Sequence, residues 1–277
     1  MLKRTPLKRL KPADIEPPRP AFTIQPVASI DQARSFLFYG RAGTGKTTVS
    51  STFPGPRLLI DVNDRGTDSI SDTDTDVIQV IDWLQFDEIY WDIRDNPDRY
   101  KKYKTIIIDT VSQAQGLAIE HVLKKKKKST ARAGDWGIMT RQEWGEVTQA
   151  MKTWIVEFRD LPFIVVFLAQ DRVSREGDED DDALEDVMPE IGPSLTPSVA
   201  KNLCAAVYVI ANTFIRRKVE TKEVKGKKVE KELMQYCLRI GPHPICLTKV
   251  RKPKSVGVPA VIVDPAYEDI LSIIKGE

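Results

Sequence analysis

Apolar positions along the chain follow two rhythms. Four runs are apolar almost without a break: Ser35 to Tyr39 (SFLFY), Arg57 to Val62 (RLLIDV), Lys104 to Thr110 (KTIIIDT) and Leu161 to Gln170 (LPFIVVFLAQ). A strand without in–out alternation is buried on both faces, which is how strands of a parallel sheet covered by helices read. VIQVI, Val77 to Ile81, reads as a shorter strand. Between these runs the apolar spacing lengthens to that of a helix. Leu84, Ile89 and Ile93 set it in LQFDEIYWDIRD, and Ser112 to Leu123 continues it. Thr140 to Asp160 shows it best, with Trp144, Val147, Met151, Trp154 and Phe158 along one face. Strands alternating with helices predict an α/β fold with a mostly parallel central sheet and helices on both faces.

From about Cys204 the pattern turns to β. CAAVYVIANTFIRRKVE and KKVEKELMQYCLRIG flank Lys225-Gly226-Lys227, a hairpin turn in composition. PICLTKVRK adds a short strand and PAYEDILSIIKG a closing amphipathic helix. The expected layout is an arm over 1–28 and one domain over 29–277, with 204–264 its β-rich C-terminal part. The arm is basic and rich in proline, a composition that does not support a packed core.

One strand leads into unusual chemistry. In FLFYGRAGTGKTTVSSTF, Gly40, Arg41, Ala42, Gly43, Thr44, Gly45, Lys46 and Thr47 fit G-x-x-x-x-G-K-[ST], with Thr48 following. Glycines let backbone N–H groups close around phosphate oxygens. Lys46 is expected on the β- and γ-phosphates, and the Thr47 hydroxyl on Mg²⁺. The cofactors this predicts are ATP and Mg²⁺.

Composition narrows the class further. Cys204, Cys237 and Cys246 are scattered, and only His121 and His243 stand beside them, so a zinc site is not expected. No apolar run approaches the ~18 residues of a membrane span. A cytoplasmic protein without a membrane partner is the expectation. The net charge is only +2, but charge is segregated. Lys124, Lys125, Lys126, Lys127 and Lys128 are consecutive, and Glu176 to Glu190 holds nine acidic residues of fifteen.

A second motif sorts the P-loop classes. Ile106-Ile107-Ile108-Asp109 has the form of a Walker B strand, which carries a carboxylate to the Mg²⁺ at the sheet edge. Thr110 follows it rather than the Glu of AAA+ machines and superfamily helicases, and Thr248-Lys249-Val250-Arg251 fails the guanine-reading pattern of GTPases. The order of Walker A, LIDVND, TIIIDT, EWGEV, LPFIVVFLAQ and LTKVRK resembles the phage RecA-like ATPases. These are the "AAA-domain" proteins of recombination operons, including the Sak-type single-strand annealing group. The resemblance spans about residues 34 to 265 and implies a RecA-like P-loop core.

The resemblance also implies roles. Its catalytic Glu falls at Asn63, which cannot take a proton from water; Asp64, next along, is the candidate replacement, and without one hydrolysis is slow. Asp61 and Asp64 also read as ordinary turn residues. Gln170 matches a polar γ-phosphate sensor. Lys249 and Arg251 resemble a K-x-R finger that reaches a neighbouring subunit, or equally a solvated basic strand. Single-stranded DNA and a homo-oligomer, ring or filament, are the implied partners, with a single-strand DNA-binding protein or replication partner possible in the same setting. The five lysines with Arg132 and Trp136 suit DNA through phosphate contacts and base stacking; a solvated loop is the alternative. Two other functions fit a P-loop: an ATP-switched loader or adaptor acting on a protein, and a small-molecule phosphotransferase, for which no lid motif is visible.

Overall fold

A computed structural model of the chain describes residues 34–62, 66–125, 139–174, 189–224 and 227–277, with 220–224 and 227–231 described by their backbone. The arm over 1–28, Asn63, Asp64, Lys126, Lys127, Lys128, Arg132, Trp136, Lys225, Gly226 and the acidic stretch up to residue 188 lie outside the described residues.

Six parallel strands form the centre of the sheet. In chain order they are β1 (Ser35–Tyr39), β2 (Arg57–Val62), β3 (Thr75–Val80), β4 (Thr105–Asp109), β5 (Ile164–Ala169) and the first part of β8 (Val209–Val224). Between β5 and β8, β6 (Asp171–Ser174) and β7 (Glu190–Pro193) make a separate two-stranded ribbon. Beyond β8 come β9 (Lys227–Arg239), β10 (Lys249–Val250) and β11 (Val261–Val263), all joined to the same sheet in antiparallel fashion. The spatial order is β11-β9-β8-β1-β5-β4-β2-β3, with β10 paired to β8.

Each central strand feeds both layers of the core. Leu37 and Tyr39 of β1 face a layer built by α2 (Trp83–Asp95), α4 (Val111–Lys125), α5 (Arg141–Arg159) and α6 (Pro197–Ala206). Its centre is aromatic, with Phe86 and Trp154 rings 4.2 Å apart and Trp154 and Phe158 rings 4.5 Å apart. Phe36 and Phe38 face the other layer, made with α1 (Lys46–Ser50) and α7 (Tyr267–Lys275). There Phe53 and Tyr267 meet at 4.7 Å. Each such ring contributes about 1.5–3 kcal/mol on full burial, so β1, at 0% exposure from Phe36 to Tyr39, is a main fastening of the P-loop. A single 3-10 turn (Thr67–Ile70) and the four-residue α3 (Pro97–Tyr100) complete the described helices.

The expected mixed α/β fold with a large, mostly parallel sheet is what the chain adopts. Helix α5 starts where its cap dictates: the Glu143 N–H donates to the Thr140 hydroxyl, and the Thr140 N–H donates to Glu143 Oε2 at 2.6 Å. Trp144 departs from expectation. It lies in the first turn and is 40% exposed, while Val147, Met151, Trp154 and Phe158 are buried. The region from Cys204 also differs at its start, because α6 runs through Ala206 before β8 begins.

Candidate functional site

The register of the sheet assembles the site. In parallel strands the carboxyl ends fall on one edge, and here Tyr39 is level with Ala169 while Asp109 is level with Leu168. Strand β5 therefore lies between the P-loop strand and the Asp109 strand. The residues that follow these ends, Gly40, Gln170 and Thr110, stand side by side on that edge.

The loop after β1 turns sharply. Gly43 and Gly45 have φ of +76° and +86°, a region that side chains avoid. Gly40 is required for another reason: a Cβ there would lie 2.4 Å from both the carbonyl and the hydroxyl oxygen of Thr213. Strand β8 is thus pressed against the loop, and the Thr44 and Thr213 hydroxyls bond each other at 2.7 Å. The Asn212 amide donates to the Tyr39 carbonyl at 3.2 Å and is itself held by Arg239 at 2.9 Å.

Lys46 and Thr47 open α1 directly behind the loop. Lys46 is buried, and its ammonium donates to the Gly40 and Arg41 carbonyls at 3.0 and 2.9 Å, so it lies folded over the loop. The Thr47 hydroxyl donates to Asp109 Oδ2 at 2.7 Å. A hydroxyl and a carboxylate in contact form a hard-oxygen pair, which suits Mg²⁺ completed by phosphate oxygens and water. Among the described residues no group of three or more His, Cys, Asp or Glu could hold a metal by itself. Thr47 and Asp109 are the residues that would hold Mg²⁺, and Lys46 with the loop N–H groups the phosphates.

Asp61 joins this edge. It is the penultimate residue of β2, level with Asp109 and 2% exposed, so two carboxylate residues stand side by side on neighbouring strands. Gln170 is tied into the edge by its backbone. Its N–H donates to Ser112 Oγ at 3.1 Å, and its carbonyl accepts from the Ser194 N–H at 2.7 Å.

Lys249 and Arg251 are elsewhere. β10 pairs with the first residues of β8, and the Arg251 N–H donates to the Tyr208 carbonyl. Tyr208 in turn donates to Ser35, at the far end of β1 from Gly40. The two side chains cover the end of α6: Lys249 donates to the Cys204 and Ala205 carbonyls, and Arg251 to Ala205 at 3.0 Å. Burial lowers the Lys249 pKa, and the Arg251 charge beside it adds to the effect. Burial also pushes the Cys204 thiol up to about 12, against the opposing pull of Lys249. Lys124 and Lys125 close α4, which carries the chain away from Asp109 for 15 residues, about 22 Å.

A family model described as an AAA domain matches residues 32–236, which takes in the P-loop, both carboxylate strands and most of the β8–β9 hairpin. The chain belongs to the AAA domain family. No curated protein matches it. As an AAA domain the chain is a nucleotide-binding ATPase domain on a P-loop core, and the matched residues include the glycine loop, Lys46, Thr47 and Asp109. Among the described residues no helix is long and apolar enough to cross a membrane. The sequence carries no signal for Asn212 and Thr213, because their contact with the loop joins residues 169 to 174 positions apart. Asp61 was visible only as the first residue of a degenerate acidic motif; its pairing with Asp109 needed the sheet.

Proposed function

We propose that this AAA domain is a slow, Mg²⁺-dependent ATPase of the RecA-like type that acts on single-stranded DNA in phage recombination or replication, as an assembly of copies. The observation that carries the reading is strand β5, seated between the P-loop strand and the Asp109 strand with Gln170 at its end. A side chain there stands next to the terminal phosphate of a nucleotide held by Lys46. The chain leaving Gln170 runs directly into β6, so a change at the phosphate has a short path into the β6–β7 ribbon. Slow turnover follows from Asn63, because an amide cannot accept the proton of the attacking water, and a positioned base is worth about 10²–10⁴-fold in rate. Asp64 and the buried Asp61 are the carboxylates available in its place.

DNA enters through the lysine run. Replacing Lys124 to Lys128 by Gln should weaken single-strand binding for every sequence and flatten the salt dependence. The expected slope is about −0.7 per phosphate neutralised. Affinity measured against salt concentration, with and without ATP and Mg²⁺, tests this. An unchanged affinity and slope in the five-Gln variant would remove the DNA role from these lysines. No binding of single-stranded DNA by the parent protein in any nucleotide state would favour an ATP-switched adaptor that acts on protein. That second reading draws support from Lys249 and Arg251, which are engaged on the carbonyls of their own α6.

A further inference from the structure

The P-loop has two flanks. Thr47 faces Asp109. Thr48 is the next residue of α1, turned about 100° around the helix axis, and it lines a cleft of about 210 Å³ on the other flank. The remaining walls come from Gly45, Thr213, Tyr236, Asp264 and Pro265, that is, from the loop, the root of the β8–β9 hairpin and the turn before α7.

Tyr236 forms the broad wall. Its ring lies over Gly45, with Cδ1 3.3 Å from the point a Cβ would occupy, and the residue is 47% exposed. The ring is held on a firm base. Tyr236 pairs with Ile215 across the hairpin, and its carbonyl accepts the Asp264 N–H at 2.7 Å on the opposite side. The Thr44–Thr213 bond fastens the loop to the same hairpin, so tyrosine and loop stay in register. A partly exposed aromatic face at the mouth of a phosphate loop, in a cleft that a proline also lines, fits a flat heterocycle.

We propose that this cleft receives the nucleoside of the bound nucleotide, with the base stacked on Tyr236. The proposal rests on the P-loop holding the phosphates. Their chain then runs from the Thr47–Asp109 side past Gly45 and Thr48, and the base arrives where the ring is.

The test separates base from phosphate. Mg²⁺–ATP and inorganic tripolyphosphate, which carries no base, are titrated calorimetrically into the full chain and into Tyr236→Ala and Tyr236→Phe. Stacking on an aromatic side chain predicts a loss of ATP affinity of about 10–100-fold in Tyr236→Ala. Tripolyphosphate affinity should not change, and Tyr236→Phe should bind ATP as the parent does. Unchanged ATP binding in Tyr236→Ala overturns the proposal. So does an equal loss for both probes, which would make Tyr236 a support of the loop, and so does a Phe variant as weak as the Ala variant. A parent protein that binds neither probe overturns the P-loop reading itself, a distinguishable result.

Discussion

Gly40→Ala is the smallest change that tests how the loop is seated. The added methyl would lie 2.4 Å from Thr213 O and Oγ1 and 3.0 Å from Thr44 Oγ1. Ordinary contact lies at about 3.5 Å, so the loop and β8 must separate by about 1 Å. Inserting a methyl into a packed seam costs about 1–3 kcal/mol. In a domain of this size each kcal/mol lowers the melting temperature by about 2–4 °C. A fall of roughly 2–12 °C follows. Two further variants identify the cause. Thr213→Ala removes the hydroxyl but leaves the backbone carbonyl, also 2.4 Å away, so it cannot rescue Gly40→Ala. Gly43→Ala meets no atom within 4 Å and pays only for its φ of +76°, about 1–2 kcal/mol. Thermal unfolding of the single and double variants by circular dichroism measures all of this. Gly40 is not packed against β8 in this way if Gly40→Ala melts within a degree or so of the parent, or if the double variant recovers to the level of Thr213→Ala alone.

Asn63→Glu should raise ATP turnover, because it supplies a base where an amide stands, while Asp64→Asn should lower it if Asp64 deputises. If steady-state rates move in neither variant, Asp61→Asn is the next substitution and the base is to be sought beside Asp109. Arg251→Ala loses its bond to the Ala205 carbonyl, a cost of about 0.5–1.5 kcal/mol, and should leave ATP affinity intact. If the residue also acts across a subunit interface, turnover falls and mixing with a Lys46→Ala protein restores part of it; a monomer that turns over ATP at full rate removes the interface role. Cys204, with its thiol pushed up to about 12 from an ordinary 9.0 by burial, should be alkylated at pH 8 about 10–100-fold more slowly than an exposed thiol, the scarcer thiolate being partly offset by its higher nucleophilicity. Rapid labelling of the folded protein at Cys204 would contradict that.

The parts that were legible in the sequence are those where one residue type answers one local demand. SFLFY, TIIID and IVVFLA are apolar on both faces because both faces are covered, and the structure places all three side by side in the parallel centre. Gly43, Gly45 and Lys46 announce their loop because only glycine accepts those dihedrals. Helix α6 was hidden for a local reason: its Pro197 start carries a proper signal, but its end, CAA, runs straight into the apolar VYVI of β8. The β6–β7 ribbon joins DRVS to EIGP, neither of which alternates, across a highly charged insertion. Lys249 and Arg251 show how a motif can have a second local use. A K-x-R on a short strand reads as a finger, and the fold also aims both side chains at the open carbonyls of a helix end. Tyr236 carries no sequence signal at all, because its place above Gly45 is set by hairpin register.

The proposed function depends on this P-loop binding and turning over ATP. Steady-state phosphate release with Mg²⁺, together with calorimetric ATP affinity, measured on the parent, Lys46→Ala and Thr47→Ala, tests it most directly. Lys46 spends its hydrogen bonds on the loop and Thr47 on Asp109, so both variants should fold. The parent should release phosphate weakly but measurably, and both variants should lose that release with far-ultraviolet circular dichroism unchanged. A correctly folded Lys46→Ala protein that binds and hydrolyses ATP like the parent would contradict it.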